Sequence, residues 1–226
     1  MLETFADLLA GNDAHADAFA DRFDAVQTGQ RPDAVTVCCS DSRVLGDHLW
    51  GNDDPGRLFS CRNIGNRVSQ RCRGEQFVAG DVLYPLVETG TDLAIVVGHT
   101  GCGAVTATYE AITGDLEAPA GIEYCVDLLQ PAIESGVERL PGDLDRAAAI
   151  NHLVEYNVDR QVEALVESDD VPDRVTVVGV VYDFQDVYSG RRGEIHVVNV
   201  GGERDPATLQ DAHPDVADRV ARRWPY

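Results

Sequence analysis

The stretch LAIVVGHTGCGA, residues 93–104, combines a strand pattern with two chemically active side chains. Residues 93–97 are uniformly apolar, which is typical of a strand covered on both faces in a parallel sheet. The pattern stops at Gly98, and His99 and Cys102 follow three residues apart. In an open parallel sheet, binding sites form beyond the carboxyl ends of the strands. The stretch therefore predicts a site at one edge of an α/β sheet.

A second apolar run ends in the same way. Residues 34–39, AVTVCC, have the β-branched pattern of a buried strand, and the polar loop CSDSR occupies residues 39–43. If this strand lies next to the strand at residues 93–97, the two strand ends bring metal-binding side chains to one point. These side chains are Cys39, Asp41, His99 and Cys102.

The four side chains have the chemistry of a zinc site. Two thiolates, one imidazole and one oxygen ligand suit tetrahedral Zn²⁺ better than Mg²⁺ or Ca²⁺. We therefore predict zinc as the cofactor, with one ion in the chain. Cys38 competes with Cys39 for the first position, but successive side chains of a strand point to opposite faces. A buried structural cysteine beside an ordinary loop histidine is the alternative interpretation of Cys102 and His99.

Arg43 gives Asp41 a second partner. It lies two positions further along the same loop, and its guanidinium can hold the carboxylate in a bidentate pair. When Asp41 binds zinc the site is closed, and when Asp41 turns to Arg43 the fourth zinc position is free for water. Zinc lowers the pKa of bound water to about 7, which yields hydroxide at neutral pH. Asp41 and Arg43 are therefore the candidate catalytic residues, unless the pair only holds the loop.

The remaining sequence alternates strand and helix patterns, which predicts an α/β fold. We expect a central mostly parallel sheet of about four strands with a further edge strand, flanked by helices. Further strands are predicted at residues 58–60, 175–181 and 195–200, and helices at residues 12–27, 76–88, 104–112, 122–135, 144–167 and 205–223. No linker divides the chain, so residues 1–226 are expected to form a single domain with an N-terminal helical arm at residues 1–30.

The charge of the chain is extreme. Its 226 residues include 39 acidic and 18 basic residues, for a formal net charge of −21, and every basic residue is arginine. Such a surface repels nucleic acid and anionic membranes, so neither is expected as a partner. A lysine-free acidic surface is typical of a protein from a high-salt cytoplasm, where charge repulsion is screened.

The sequence also favours a cytoplasmic location. The first residues, MLETFADLLAG, lack the basic and apolar regions of a signal peptide. No apolar run approaches the ~20 residues that a membrane-spanning helix needs. The six cysteines indicate free thiols or metal ligands rather than disulfides.

Three short motifs resemble those of the β-class carbonic anhydrases. They are CSDSR at residues 39–43, RNIGN at residues 62–66 and HTGCGA at residues 99–104. The resemblance implies reversible hydration of CO₂ to bicarbonate and a proton by zinc-bound hydroxide. It also implies a set of site residues: the zinc ligands Cys39, His99 and Cys102, the exchangeable fourth ligand Asp41, and its partner Arg43. Members of the family form homodimers or dimers of dimers, so the N-terminal arm is expected to contact a partner subunit.

Three other functions fit the same residues. Relatives of this family hydrolyse CS₂ or COS, linear molecules that the same hydroxide attacks, and only the access channel would distinguish these substrates. A non-catalytic structural zinc protein would result if Asp41 closed the site permanently, although a permanent ligand needs no competing Arg43. The six cysteines suggest a thiol redox protein, but the sequence lacks a Cys-x-x-Cys pair.

Overall fold

A five-stranded sheet forms the centre of the computed structural model, which describes residues 2–114, 116–188 and 190–226. The strands, in chain order, are β1 (Ala34–Cys39), β2 (Leu58–Asn63), β3 (Ser69–Cys72), β4 (Glu75–Val78), β5 (Leu93–His99), β6 (Thr176–Asp183) and β7 (Glu194–Val200). The order in the central sheet is β2-β1-β5-β6-β7. The first four pair in parallel, and β7 is an antiparallel edge strand beside β6. The predicted mostly parallel sheet with a further edge strand is confirmed.

Helices flank the sheet, as predicted. They are α1 (Leu2–Phe19), α2 (Gly80–Val87), α3 (Gly103–Thr113), α4 (Ala120–Arg139), α5 (Arg146–Val166) and α6 (Pro206–Ala212), with short 3₁₀ helices at Ala20–Val26, Gly46–Trp50 and Pro214–Arg219. One face of the sheet packs against α5, and the other packs against the segment around α6. Within the described residues, no helix combines the length and apolar character needed to span a bilayer.

Two glycines let α5 lie close to the sheet. A Cβ atom at Gly98 or at Gly179 would lie 2.6 Å from a methyl carbon of Val158, so a side chain at either position would displace the helix. The prediction that Gly98 ends its strand is wrong, because β5 continues to His99. Gly98 allows the helix to pack closely against the strand. His99 is the last residue of β5.

The predicted helix at residues 76–88 is wrong over its first part. Glu75–Val78 forms β4, which pairs antiparallel with β3 in a second, two-stranded sheet, and α2 begins only at Gly80. The hairpin turn consists of Arg73 and Gly74, with φ angles of 53° and 88°. Positive φ at both central residues is typical of the tight turns whose twist matches that of paired strands.

Both predicted terminal helices are shorter or displaced. The helix predicted at residues 205–223 breaks before Pro214, which begins a separate 3₁₀ helix, since proline cannot continue a helix interior. The N-terminal arm forms α1 and the 3₁₀ helix Ala20–Val26 instead of one helix at residues 12–27. No side chain of residues 2–19 is buried. The exposed large apolar side chains of α1 are Leu2, Phe5, Leu8 and Leu9.

Candidate metal centre

Strands β1 and β5 bring three of the predicted ligands together. The strands are adjacent and parallel, with Val37 beside Val96, so both end at the same edge of the sheet. Cys39 and His99 are their last residues, and Cys102 directly precedes α3. The ligand atoms of these three residues all lie within 4.8 Å of one another. The two sulfur atoms are 4.0 Å apart.

The three residues fit a tetrahedral zinc ion. Two thiolates bound at about 2.3 Å to a tetrahedral ion lie roughly 3.8 Å apart, close to the observed sulfur separation. His99 Nδ1 contacts the carbonyl oxygen of Thr100 at 3.0 Å, which places the imidazole proton on Nδ1 and leaves a lone pair on Nε2. Nε2 is buried and has no hydrogen-bond partner among the described residues. Such a group is costly unless it is satisfied, and a metal ion would satisfy it.

A hydrogen bond joins the two thiol groups. Cys102 Sγ donates a hydrogen bond to Cys39 Sγ, which lowers the pKa of Cys39 against the opposing effect of burial. The same hydrogen bond, together with burial, raises the pKa of Cys102 well above its usual value. One thiolate therefore forms readily, and the second proton leaves when a metal ion binds.

The competing thiol of Cys38 points away from the centre. It packs with Val97 and Val180 in the core on the opposite face of the sheet. Burial there raises the pKa of Cys38 to about 11. Strand alternation therefore separates the two neighbouring cysteines.

Asp41 faces the metal centre while it is paired with Arg43. Arg43 Nε donates to Asp41 Oδ1 at 2.9 Å, and Arg43 Nη2 donates to Oδ2 at 2.6 Å. The backbone N–H of Arg43 also donates to Oδ1, at 2.9 Å. The side-chain hydrogen bonds from Arg43 hold the pKa of the Asp41 carboxyl well below its usual range. Oδ2 lies 3.8 Å from His99 Nε2, so the carboxylate is within reach of both partners.

Arg62 fixes the loop that carries this pair. Its Nη2 donates to the carbonyl oxygens of Cys39, Asp41 and Val44, at 3.2, 3.0 and 2.8 Å respectively. The sequence indicated Arg62 only as part of a motif. The nearby sequence could not predict that Arg62 contacts these three carbonyl groups, because the contacts join the end of β2 to the loop after β1.

The turn before Cys102 is held from two sides. The Gly101 N–H donates to Asn151 Oδ1 at 2.9 Å, and its carbonyl oxygen accepts a hydrogen bond from Arg43 Nη2 at 3.1 Å. Gly101 has a φ of +61°, and a Cβ atom there would lie 2.5 Å from the side chain of Gln185. Glycine is therefore favoured here, because another residue would strain the backbone and displace the Gln185 amide. Asn151, on α5, was missed in the sequence because its contact spans 50 residues.

A largely apolar cavity of about 340 Å³ adjoins the centre. Cys39 and Asp41 form part of its wall. Its apolar lining comprises Ile64, Ala104, Ala107, Ile122 and Val126. Apolar walls disfavour an ion and favour a small uncharged molecule.

Solved structures share this fold. A tetrameric β-carbonic anhydrase from Sordaria macrospora has a TM-score of 0.72 and 22% sequence identity, covering 87% of this chain and 98% of that chain. A Coccomyxa β-carbonic anhydrase in complex with acetazolamide has a TM-score of 0.69 and 20% identity, covering 97% and 98%. The fold is therefore that of the β-carbonic anhydrases.

Sequence relatives give the family. The carbonic anhydrase family model matches residues 34–191. The carbonic anhydrase of Pseudomonas aeruginosa is 32% identical over 200 residues, covering 86% of this chain and 84% of that protein. Carbonic anhydrase 2 of Mycobacterium tuberculosis is 27% identical over 202 residues, covering 86% and 90%. The chain belongs to the carbonic anhydrase family, whose members are zinc lyases.

Proposed function

We propose that the protein catalyses the reversible hydration of CO₂ to bicarbonate and a proton, with one zinc ion held by Cys39, His99 and Cys102. The observation that carries this proposal is the buried, unpartnered Nε2 of His99 in the described part of the chain, beside two sulfur atoms 4.0 Å apart. An apolar cavity adjoins this set of ligands, and the chain belongs to the carbonic anhydrase family.

The geometry of Asp41 and Arg43 supports a catalytic role for each. Zinc, when bound, makes a nucleophile available at neutral pH by lowering the pKa of its water to about 7. Asp41 accepts a hydrogen bond from the attacking water and directs a lone pair of that water toward the carbon of CO₂. Because Arg43 holds the pKa of the Asp41 carboxyl well below its usual range, Asp41 stays ionised and keeps this acceptor role.

Arg43 also controls the fourth zinc position. Two N–H groups of its side chain hold both carboxylate oxygens of Asp41, which would leave the fourth position of a bound zinc ion free for water. An Asp41 released by Arg43 can bind the metal and close the site. This arrangement favours a catalytic site over a structural zinc site, because a structural site is closed by a permanent fourth ligand.

The walls of the cavity support this class of substrate. A pocket lined mainly by isoleucine, alanine and valine side chains suits a small linear uncharged molecule. CO₂, CS₂ and COS share this description. Family membership favours CO₂.

Stopped-flow kinetics test the proposal. CO₂ hydration is measured for the zinc-replete protein in molar KCl at alkaline pH, and sulfide release from CS₂ is measured in parallel. We expect strong zinc-dependent CO₂ hydration with little sulfide release. Inactivity toward both substrates at full zinc occupancy would indicate a structural zinc site, and predominant sulfide release would replace the proposal with CS₂ hydrolysis.

We also propose a homodimer or dimer of dimers in which residues 1–30 contact the partner subunit. The support is the row of exposed apolar side chains on α1, none of which is buried within the chain. The similar Sordaria macrospora enzyme is described as tetrameric. Deletion of residues 1–30 is expected to reduce the oligomer size in sedimentation velocity, and an unchanged size would contradict this role.

We place the protein in the cytoplasm, as a single domain over residues 1–226 that binds neither nucleic acid nor membranes. All six cysteines are free, which suits a reducing compartment. The formal charge of −21 opposes binding to polyanions.

A further inference from the structure

The aromatic ring of Phe184 contacts both parts of the metal centre. Phe184 directly follows β6, whose end lies beside His99 in the sheet. Its ring stacks on the His99 imidazole, with centroids 5.7 Å apart and 24° between the planes. The Cζ atom of Arg43 lies over the same ring, 4.7 Å from its centroid. One side chain therefore touches a proposed zinc ligand and the arginine that holds Asp41.

Arg43 has freedom that this ring can restrict. Its side chain is 50% exposed. An exposed ion pair gains little energy, so it barely offsets the entropy lost when a long side chain is held in one conformation. A guanidinium over an aromatic face is attracted by the negative charge density of the ring. The ring therefore favours an orientation in which the guanidinium lies flat and presents its N–H groups to Asp41.

The backbone at Phe184 is fixed by groups that bind no metal. The buried carboxylate of Asp183 accepts hydrogen bonds from three backbone N–H groups of residues 185–188 and from Thr100 Oγ1. The Phe184 N–H in turn donates to Thr100 Oγ1 at 3.3 Å. Because Thr100 follows His99 directly, the position of the ring is tied to that of the imidazole.

We propose that Phe184 is a positioning residue, whose ring holds the Arg43 guanidinium in the orientation that pairs with Asp41 and keeps the fourth zinc position free. The inference rests on the proposed function, because holding Asp41 in this way benefits catalysis. Loss of the ring would weaken the hold on Arg43 while its acceptors Asp41 and Gly101 remain in place.

The test compares Phe184→Leu, which removes the aromatic face, with Phe184→Tyr, which keeps it. Phe59→Leu is the matched control, because Phe59 is also partly buried and its ring contacts Tyr84. The first measurement is solvent exchange of the Arg43 Nε–H by ¹⁵N NMR, in zinc-free and zinc-loaded protein, with the resonance assigned by its loss in Arg43→Gln. The second measurement is kcat and KM for CO₂ hydration per bound zinc.

We expect Phe184→Leu to accelerate exchange of the Arg43 Nε–H by about tenfold and to lower kcat by roughly tenfold with KM nearly unchanged. Phe184→Tyr and Phe59→Leu should stay within about twofold of the wild-type protein in both measurements. Unchanged exchange in Phe184→Leu would overturn the proposal, and so would equal disruption by Phe184→Tyr. The exchange measurement needs no turnover, so an inactive wild-type protein would refute the proposed function while the role of Phe184 is still decided.

Discussion

Two arginine–aspartate pairs in this protein have the same chemistry and opposite surroundings. The side chains of Arg43 and Asp41, two residues apart, are 50% and 15% exposed. Arg222 and Asp159 are 63 residues apart, and their side chains are 4% and 0% exposed. The first pair lies beside the unsatisfied Nε2 of His99 and is reached by solvent. The second lies in the interior, where a lost partner cannot be replaced, so burial separates the pair proposed to act in catalysis from a structural one.

The buried pair holds the C-terminal segment on α5. Both Nη atoms of Arg222 donate to Asp159, and the Tyr226 hydroxyl donates to the same carboxylate at 2.6 Å. One helical turn earlier, Glu155 accepts the backbone N–H of Trp224 at 2.9 Å. Buried ionic networks of this kind stabilise a fold only while every partner is present.

Breaking the buried pair has the largest expected effect. Arg222→Ala leaves the Asp159 carboxylate buried without its cation, which should lower the free energy of unfolding by about 3–5 kcal/mol. Urea unfolding followed by circular dichroism measures the change. Arg57→Ala is the matched control, because it removes an exposed arginine paired with Asp33 and should cost less than about 1 kcal/mol. Similar losses in the two variants would contradict the distinction drawn between buried and exposed pairs.

Breaking the exposed pair should affect activity and spare stability. Arg43→Ala releases Asp41 toward the metal, and we expect kcat/KM for CO₂ hydration to fall by about 10- to 100-fold. The free energy of unfolding should change by less than about 1 kcal/mol. Stopped-flow rates per bound zinc measure the first quantity, with Arg57→Ala expected to keep full activity. Full activity in Arg43→Ala would refute its control of the fourth zinc position.

Lowering the salt concentration should reduce the stability of the whole protein but leave the contribution of the buried pair unchanged. With a net charge of −21, transfer from molar to dilute KCl exposes self-repulsion and should cost about 1 kcal/mol, or roughly 2–4 °C in the unfolding midpoint. The loss caused by Arg222→Ala should be the same at both salt concentrations, because buried pairs are screened little. Calorimetry in the two buffers measures both effects. Native stability that is indifferent to dilution would contradict the expectation of a high-salt protein.

The smallest expected effect is a pH dependence of the free energy of unfolding, caused by His152 beside the buried C-terminal segment. His152 stacks on Trp224, with ring centroids 5.5 Å apart, and burial, with a contribution from Arg223, lowers the pKa of His152. The unfolded chain therefore binds the proton more readily, so stability is full above about pH 6.5 and falls as the pH drops below it.

The variant His152→Phe keeps the aromatic stack and should flatten this decline in unfolding experiments between about pH 7.5 and pH 5. Some decline should persist, because burial also lowers the pKa of His196. A slope identical to that of the wild-type protein would show that His152 does not titrate with unfolding.

The exposed pair was predictable from the sequence and the buried pair was not. Asp41 and Arg43 share one short loop, and the apolar runs before Cys39 and His99 mark the strand ends that bring the ligands together. Asp159 instead lies in a helical sequence pattern, where a charged residue is expected to face solvent. Its partner Arg222 is 63 residues away in the chain, so the pattern gives no indication of the buried pair. The sequence did not indicate a role for Phe184 either, because its contacts His99 and Arg43 lie on another strand and another loop.

The fold, too, was predictable from the sequence only in part. The apolar runs predicted the strands of the central sheet because burial on both faces leaves a continuous signal. The hairpin at residues 69–78 was mistaken in part for a helix, since β4 is only four residues long and exposes three of them. Its turn, with positive φ at Arg73 and Gly74, is the feature that the apolar pattern could not show.

A zinc titration of metal-stripped protein, with stopped-flow CO₂ hydration and bound metal measured at each step, decides whether this centre is catalytic. We expect negligible hydration without zinc and a linear rise that stops at about one zinc ion per chain. Substantial hydration by the stripped protein, or none at full zinc occupancy, would contradict the assignment of Cys39, His99 and Cys102 as the centre of catalysis.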